Sequence, residues 1–392
     1  MKKCCKNIDI TNRELISGAV WNCIWDKMTR RDTIKMFSEY SGVPELVLIA
    51  LAKEEIPGAF DGIVNTVIDG LRQEIINKDY KVKPIQYRFR LDNCSRKIRK
   101  IGIQDIKQQL YDYIAVEALR ELFDKKLCFY QTSLKGKGAD FGAVAIKKWL
   151  KNKNNRYAWQ ADVKHYYESI DKERLKAMLQ HDVDNEDVLH LVFFLIDTFP
   201  DGLSIGSYLS QFLANYYMAR AYHYASEQLF KVRKCKNGQL KRVRLISHVL
   251  MQMDDILFIG HSLKDLKMAV KKFEKYVNEF LGLELKPTAK FIDLSKDYID
   301  ILGRKISRKS LTLRASNFRK FRRVAKKVLK LVRTGKAIPE KTARTFAARY
   351  GGVKHTESSR LQKKYRVKEI LHRCKKVIGQ NDRRRHYEKN EI

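Results

Sequence analysis

Asp254 and Asp255 stand side by side in Leu250-Met251-Gln252-Met253-Asp254-Asp255-Ile256-Leu257-Phe258-Ile259-Gly260, between two apolar, strand-like runs. Both runs favour burial, and adjacent carboxylates held between buried segments repel each other unless a cation is present. A second strand-like run, Tyr157 to Val163, brings a third carboxylate, Asp162. Three carboxylates delivered from the ends of neighbouring strands make an oxygen-donor set for Mg²⁺, which takes few protein ligands and keeps its other positions for water and substrate phosphates. Mn²⁺ suits the same donors. Two such ions about 3.5–4 Å apart support in-line phosphoryl transfer, so the expected chemistry is nucleotidyl transfer of the polymerase type. An Asp-Asp pair alone is usually a solvated turn; the third carboxylate and the apolar flanks argue against that here.

The elements that must position these groups belong to a 392-residue chain, long enough for two or three domains with a substantial core. Eighty Lys and Arg face 45 Asp and Glu, a net charge of +35, which points to a polyanionic partner and to nucleic acid before membrane. The longest strongly apolar run, Val188 to Ile196, is too short to span a bilayer, and the lysines near Met1 precede no signal-like segment. A cytoplasmic protein is expected. Seven scattered cysteines form no Cys-x-x-Cys pair, so neither a zinc site nor a disulfide framework is indicated.

Along the chain, residues 10–80 read as helical, with apolar positions such as Ile63, Val67, Ile68 and Leu71 and a break at Pro57-Gly58. This region is expected to be a cap, or a surface for a protein partner or self-association. Basic and apolar residues alternate from Tyr87 to Ile103, as in a strand with one basic face, and a helix is expected from Asp105 to Lys126. Lys135 to Gly142 forms a glycine-rich turn before a helix over 143–151, without Walker spacing. Residues 231–236 and 239–245 flank Asn237-Gly238, which predicts a basic hairpin with a type I′ turn; a solvated hairpin and a contact to template or guide RNA are both open. Residues 301–392 hold 30 Lys and Arg against 6 Asp and Glu, on runs of helical period such as Arg319 to Val328. A basic helical face of this kind binds a phosphate backbone without reading sequence. The tail Arg383-Arg384-Arg385-His386 is expected to be disordered.

Between the carboxylate-bearing runs lies Gly202-Leu203-Ser204-Ile205-Gly206-Ser207-Tyr208-Leu209-Ser210-Gln211-Phe212-Leu213-Ala214-Asn215, whose small residues allow a nucleotide or base pair close to the backbone. In this order, Asp162 to Ile170, Gly202 to Asn215, Gln252-Met253-Asp254-Asp255, Leu281 to Pro287 and Ile299 to Arg304 resemble five motifs of the reverse transcriptases, and the resemblance covers residues 85–365. The stretch Ile205-Gly206-Ser207-Tyr208-Leu209-Ser210-Gln211 resembles the IGxxxSQ form of diversity-generating retroelement and antiviral defence-associated reverse transcriptases. Gln252 replaces the Tyr of the family's YxDD box, and about 80 residues precede the part that resembles the fingers.

The resemblance implies an α+β right-hand polymerase fold: an N-terminal helical extension over 1–80, fingers and palm over 81–300, and a basic helical thumb and tail over 301–392. It implies an RNA-directed DNA polymerase of a bacterial retroelement or defence system, copying a dedicated non-coding RNA into DNA from dNTPs. Template-independent or protein-primed synthesis and a catalytically silent RNA-binding scaffold are the rivals. Asp162 and Asp254 would ligate two Mg²⁺ ions, with Asp255 supporting. Tyr167 matches the sugar gate; Ile205 and Gly206 would line the nucleotide site; Lys97, Arg99 and Lys286 would meet the triphosphate. Gln211, Gln252, Met253, Gly303 and Arg304 would face primer and template. Isoleucine at 205, where many relatives carry glutamine, offers packing alone, and lower fidelity is expected.

Overall fold

A computed structural model of the chain describes residues 3–54, 58–91, 98–134 and 136–387. The chain begins with helices α1 (Arg13–Ile24), α2 (Arg31–Ser41), α3 (Glu45–Glu54) and α4 (Asp61–Asn77), followed by strands β1 (Gln86–Leu91) and β2 (Ile98–Ile103). Next come α5 (Ile106–Ala118), α6 (Arg120–Lys126), β3 (Gln131–Thr132), α7 (Ala139–Leu150) and β4 (Tyr157–Asp162). Four helices, α8 (Tyr166–Ser169), α9 (Lys172–Asp182), α10 (Glu186–Asp197) and α11 (Tyr208–Glu227), lead to the hairpin β5 (Phe230–Lys234) and β6 (Leu240–Arg244). Strands β7 (His248–Gln252) and β8 (Asp255–Gly260), helix α12 (Leu263–Leu281) and β9 (Lys290–Asp293) follow. A three-stranded meander, β10 (Ile299–Ile301), β11 (Arg304–Ile306) and β12 (Leu311–Leu313), precedes α13 (Ala315–Arg333), α14 (Glu340–Lys354), α15 (Ser359–Lys364) and α16 (Val367–Tyr387).

This is an α+β chain organised on a five-stranded sheet in the order β3-β7-β8-β4-β9, antiparallel except for β3–β7. Both faces of the sheet are covered. Trp159, Ala161, Ile256 and Phe258 face one core, shared with the N-terminal helices and α5, α9, α10, α11 and α12. Ala158, Leu250, Leu257, Ile259 and Ile292 face a second core under α7 and the meander. This explains why β8 reads as an unbroken apolar run with Asp255 only at its end. A third core, with Phe321, Val328, Phe346 and Ile370, joins α13, α14 and α16.

Residues 3–80 are built into the first core and not appended to it. The Cys4 amide donates to the Asp182 carbonyl (2.7 Å), and the Asp184 amide donates to the Cys4 carbonyl (2.9 Å). Glu74 of α4 accepts from Tyr40 (2.8 Å), Lys107 (2.7 Å) and Tyr111, tying three helices at one carboxylate.

Several local expectations change. In place of one strand over the alternating stretch, the described residues 86–91 and 98–103 form two antiparallel strands, with Arg88, Arg90 and Arg99 on one face and Tyr87, Phe89, Leu91 and Ile98 on the other. The helix expected over 105–126 breaks at Leu119, and the helix expected over 143–151 begins earlier, at Ala139. The 230–244 hairpin forms, but not with a type I′ turn: Gly238 alone of the turn residues has positive φ (+80°), and its amide donates to Cys235. That is a type I turn closed by a left-handed glycine. Arg383 to His386 continue α16, where the sequence suggests disorder. Among the described residues no helix is long and apolar enough to cross a membrane, and the described cysteines are free thiols.

Candidate active site

Backbone register assembles the carboxylates. Asp162, the last residue of β4, sits opposite Asp255, the first of β8, and the Val163 amide donates to the Asp254 carbonyl (2.9 Å). Met253 and Asp254 form the tight turn between β7 and β8, and Met253 takes φ +53°, an uncommon conformation for a side-chain-bearing residue. The turn thus projects two adjacent carboxylates beside a third.

Lys286 reaches them by backbone pairing. Helix α12 ends at Gly282 in the left-handed conformation; Leu285 then pairs with Val163, and the Lys286 amide donates to the Asp162 carbonyl (2.8 Å). Its Nζ lies 3.0 Å from Asp162 Oδ2 and 3.9 Å from Asp254 Oδ2. The lysine expected at the triphosphate therefore rests on the carboxylates themselves. Arg99 reaches in from β2 closely enough to oppose the rise in the Asp254 pKa, and Arg314 does the same for Asp255. Lys97 lies outside the described residues.

Burial is the largest influence on the protonation of Asp254 and Asp255. Asp254 is raised above the usual carboxylate range by burial and by Asp162, opposed by Lys286 and Arg99. Burial, a hydrogen bond shared with Asp162 and the charges of Asp254 and Asp162 push Asp255 up to about 8. Among the described residues no three His, Cys, Asp or Glu side chains close to ligand geometry. The donor chemistry nevertheless fits a hard divalent cation, whose charge would restore ionisation, and ligation by Asp162 requires Lys286 to swing away.

The sign of the pH dependence follows. A carboxyl whose folded pKa lies above its unfolded value of about 4 contributes stability that is complete below that value and lost as pH rises through about 8. A cation that binds only the ionised trio offsets that loss. Without divalent cations the thermal midpoint should therefore fall from pH 5 to 8.5, and millimolar Mg²⁺ should raise it more at pH 8.5 than at pH 6. Asp255→Asn should flatten both trends. Calorimetric scans giving an equal Mg²⁺ shift at both pH values would count against ion binding at this trio.

Tyr167, on the one-turn helix α8, packs beside this turn. Its hydroxyl lies 3.9 Å from Met253 Sδ, and burial first, then the Asp254 charge, pushes its pKa up to about 12. Its carbonyl accepts from the Leu203 amide (2.8 Å), which brings the 202–207 loop against it. Gly202 has φ +47°, and a Cβ there would lie 2.4 Å from the Tyr167 carbonyl oxygen and 2.7 Å from that of Glu168. Gly202→Ala should cost about 2–4 kcal/mol and lower the thermal midpoint by several degrees. An unchanged midpoint would show that the loop can move away from α8.

Ile205 and Gly206 connect this loop to the β1–β2 hairpin. The Gly102 amide donates to the Ile205 carbonyl (2.9 Å), and a Cβ on Gly206 would meet the Gly102 oxygen at 2.5 Å. Gln252 ends β7 opposite Asp255, beside the Met253 turn. Gln211 is exposed, but its amide donates to the Ser133 carbonyl (3.0 Å) and so holds the 133–138 loop. Leu302 and Gly303, both with positive φ, form the β10–β11 turn, and the Gly303 carbonyl accepts from the Arg314 amide (3.1 Å) and Asn317 (3.2 Å).

Arg304 is a correction. It is 2% exposed and donates to the Ala139 carbonyl (3.0 Å), the Asp140 carboxylate and the Gly352 carbonyl (3.2 Å). A buried guanidinium committed to three acceptors is a strut between α7 and α14, not a group presented to primer or template.

Two residues enter from structure alone. Arg314 precedes α13, pairs with Asp300 and lies near Asp255. Asp112, fully buried on α5, accepts from Ser207 Oγ (2.7 Å) and the Leu209 amide (3.4 Å), and burial pushes it up to about 6. It holds the start of α11, and with it the 202–207 loop. A lone Asp in an amphipathic helix carries no sequence signal for that task.

No protein-family model matches the chain, and no curated protein matches it. Among solved structures, apo telomerase from Candida tropicalis, truncated from its C-terminal domain, is similar at 15% identity and a TM-score of 0.43. The similarity covers 64% of this chain and 60% of that one, so the chain spans less than two thirds of that protein's length.

Proposed function

We propose that the chain is an RNA-directed DNA polymerase working by two-metal nucleotidyl transfer. The observation that carries the reading is the register Asp162 opposite Asp255, with Asp254 in the intervening turn and Lys286 and Tyr167 against it. In this reading β1–β2 are fingers, the five-stranded sheet and its helices are a palm, and α13, α14 and α16 are a basic thumb. Asp162 and Asp254 would hold two Mg²⁺ ions, or Mn²⁺, with Asp255 supporting. When bound, the ions supply activation of the primer 3′-hydroxyl and neutralise charge on the transferring phosphorus.

The chain's own residues then do the rest. Lys286, released from Asp162, leaves its ammonium at the rim of the carboxylates, where phosphate oxygens arrive. Arg99 approaches the same charge from the fingers. The Tyr167 ring would exclude a ribose 2′-hydroxyl, a role supported by its place beside the Met253 turn. The 202–207 loop, fastened to β2 and to Asp112, keeps fingers and palm in register around the incoming base pair.

The IGxxxSQ stretch at Ile205 to Gln211 supports a bacterial retroelement or antiviral-defence setting, with a dedicated non-coding RNA as template. The test is extension of an oligo(dT) primer on poly(rA) with dTTP and Mg²⁺. Incorporation that ceases with chelator supports the reading. RNA binding without incorporation, under Mg²⁺ or Mn²⁺, would favour a scaffold.

A further inference from the structure

The β5–β6 ribbon takes no part in the chemistry above. Between Phe230 and Arg244 it holds seven Lys and Arg and no Asp or Glu. Its base is anchored: Leu229, Leu245 and Ile246 are buried, Lys231 pairs with Asp265 (2.5 Å), Lys272 of α12 donates to the Phe230 carbonyl (3.2 Å), and Arg242 covers the Phe230 ring. Arg233, Lys234, Lys236 and Lys241 beyond the base, and Arg244 at it, are exposed, and none makes an ion pair in the described structure.

The register adds a second observation. Arg233 stands directly opposite Lys241, so two cations share one rung of one face. Directly opposed like charges destabilise a two-stranded ribbon, which is marginal in water to begin with. A row of phosphates would turn that repulsion into attraction.

Location separates the ribbon from the reaction centre. The Ser247 amide donates to Ile259 (2.7 Å), and the Leu245 carbonyl lies beside Gly260, the end of β8 opposite Asp255. Five residues of β7 put the carboxylate turn about 17 Å away. Along α11, twenty residues put the 202–207 loop about 30 Å away.

We propose that this ribbon, with the adjoining Lys272 edge of α12, grips the backbone of a duplex segment of the RNA partner, outside the stretch being copied. The inference rests on the polymerase reading for the identity of its partner, since the RNA is then the nucleic acid present before synthesis. Phe230, the ribbon's only aromatic residue, is covered by Arg242 and offers no stacking platform, which argues against a single strand. The wide, shallow minor groove of A-form RNA presents phosphates and 2′-hydroxyls to a ribbon of this width. Such a grip raises the local concentration of template at the palm without contacting the nucleotide.

The experiment uses the full chain and a blunt 20-base-pair RNA duplex, with affinity measured by fluorescence anisotropy across roughly 50–200 mM salt. Replacing Arg233, Lys234, Lys236, Lys241 and Arg244 by glutamine should weaken binding at least about tenfold and lower the salt slope by about 2–4. Extension of oligo(dT) on poly(rA) should stay within about twofold. A second variant, Arg233→Thr with Lys241→Thr, places a favourable cross-strand pair on the same rung; it should keep the thermal midpoint while still weakening duplex binding. Unchanged affinity and slope in both variants would overturn the proposal, as would an equal loss on a B-form DNA duplex of the same length. Failure of the polymerase reading looks different: wild-type protein that does not extend the primer but still loses duplex affinity on substitution.

Discussion

Asp254→Asn should lower nucleotide incorporation by at least about 10³-fold while leaving the folding midpoint unchanged or higher. The first half follows from charge. An ion held by Asp162 and Asp254 would neutralise phosphate charge in a buried site, and an amide at 254 weakens that hold, leaving Asp162 and Asp255, which stand opposite each other, to carry the charge. The second half follows from burial: Asp254 is raised above the ordinary carboxylate range because ionising it there is unfavourable. Removing such a group relieves that burial, the usual trade between stability and activity. Asp162→Asn should lose activity to the same degree, but the midpoint should fall, because Lys286 then loses its 3.0 Å partner. Single-turnover incorporation and thermal unfolding on the same samples check both halves. Asp254→Asn protein that kept a tenth of its incorporation would remove the trio from the reaction centre.

Tyr167→Ala should collapse discrimination between dNTPs and NTPs by about 10²-fold and keep dNTP incorporation within about tenfold. The ring's hydroxyl reaches the Met253 turn and the Leu203 amide holds the Tyr167 backbone, so both ends of the residue are positioned for its ring to act as a steric filter in the proposed reaction. The hydroxyl's contact within the protein is a 3.9 Å approach to a thioether, a weak interaction. Tyr167→Phe should therefore discriminate as the wild type does. Competition between dTTP and UTP on poly(rA) measures this directly. If the alanine variant still rejects UTP, the filter lies elsewhere, and the 202–207 loop is the next place to look.

The two predictions draw on different sources. The carboxylates were legible because their signal is local: apolar runs of strand length, each interrupted by Asp at one end, state both where the backbone pairs and where charge must sit. The same holds for the basic 230–244 hairpin, announced by Asn237-Gly238, and for α13, whose basic and apolar positions alternate with helical period. The hairpin's turn type was less legible, because Asn237 can adopt either sign of φ and the length of the loop decided between them.

Other features depended on contacts between distant segments. The sequence suggested an extension over residues 1–80, yet apolar helical faces do not state what they pack against, and here α1 and α2 meet α5 within a core that also takes in α10 and α11. Arg304 belonged to a motif that suggested primer contact; burial between α7 and α14 commits three of its five donors to acceptors inside the protein. Lys286 reached Asp162 because Leu285 pairs with Val163. Asp112 and Arg314 acquired roles only when α5 met the start of α11 and when the meander delivered the start of α13 near Asp255.

By itself, the sequence determined the chemistry on offer: three carboxylates at strand ends, an aromatic neighbour, glycines where backbones touch, and a strongly basic C-terminal quarter. Residue type and short-range spacing set these properties before any fold is known. The tertiary structure decided which charges oppose which carboxylate, which cations are buried struts and which remain exposed for phosphate. Those assignments depend on strand register and on desolvation, and both arise only when segments far apart in the chain exclude water together.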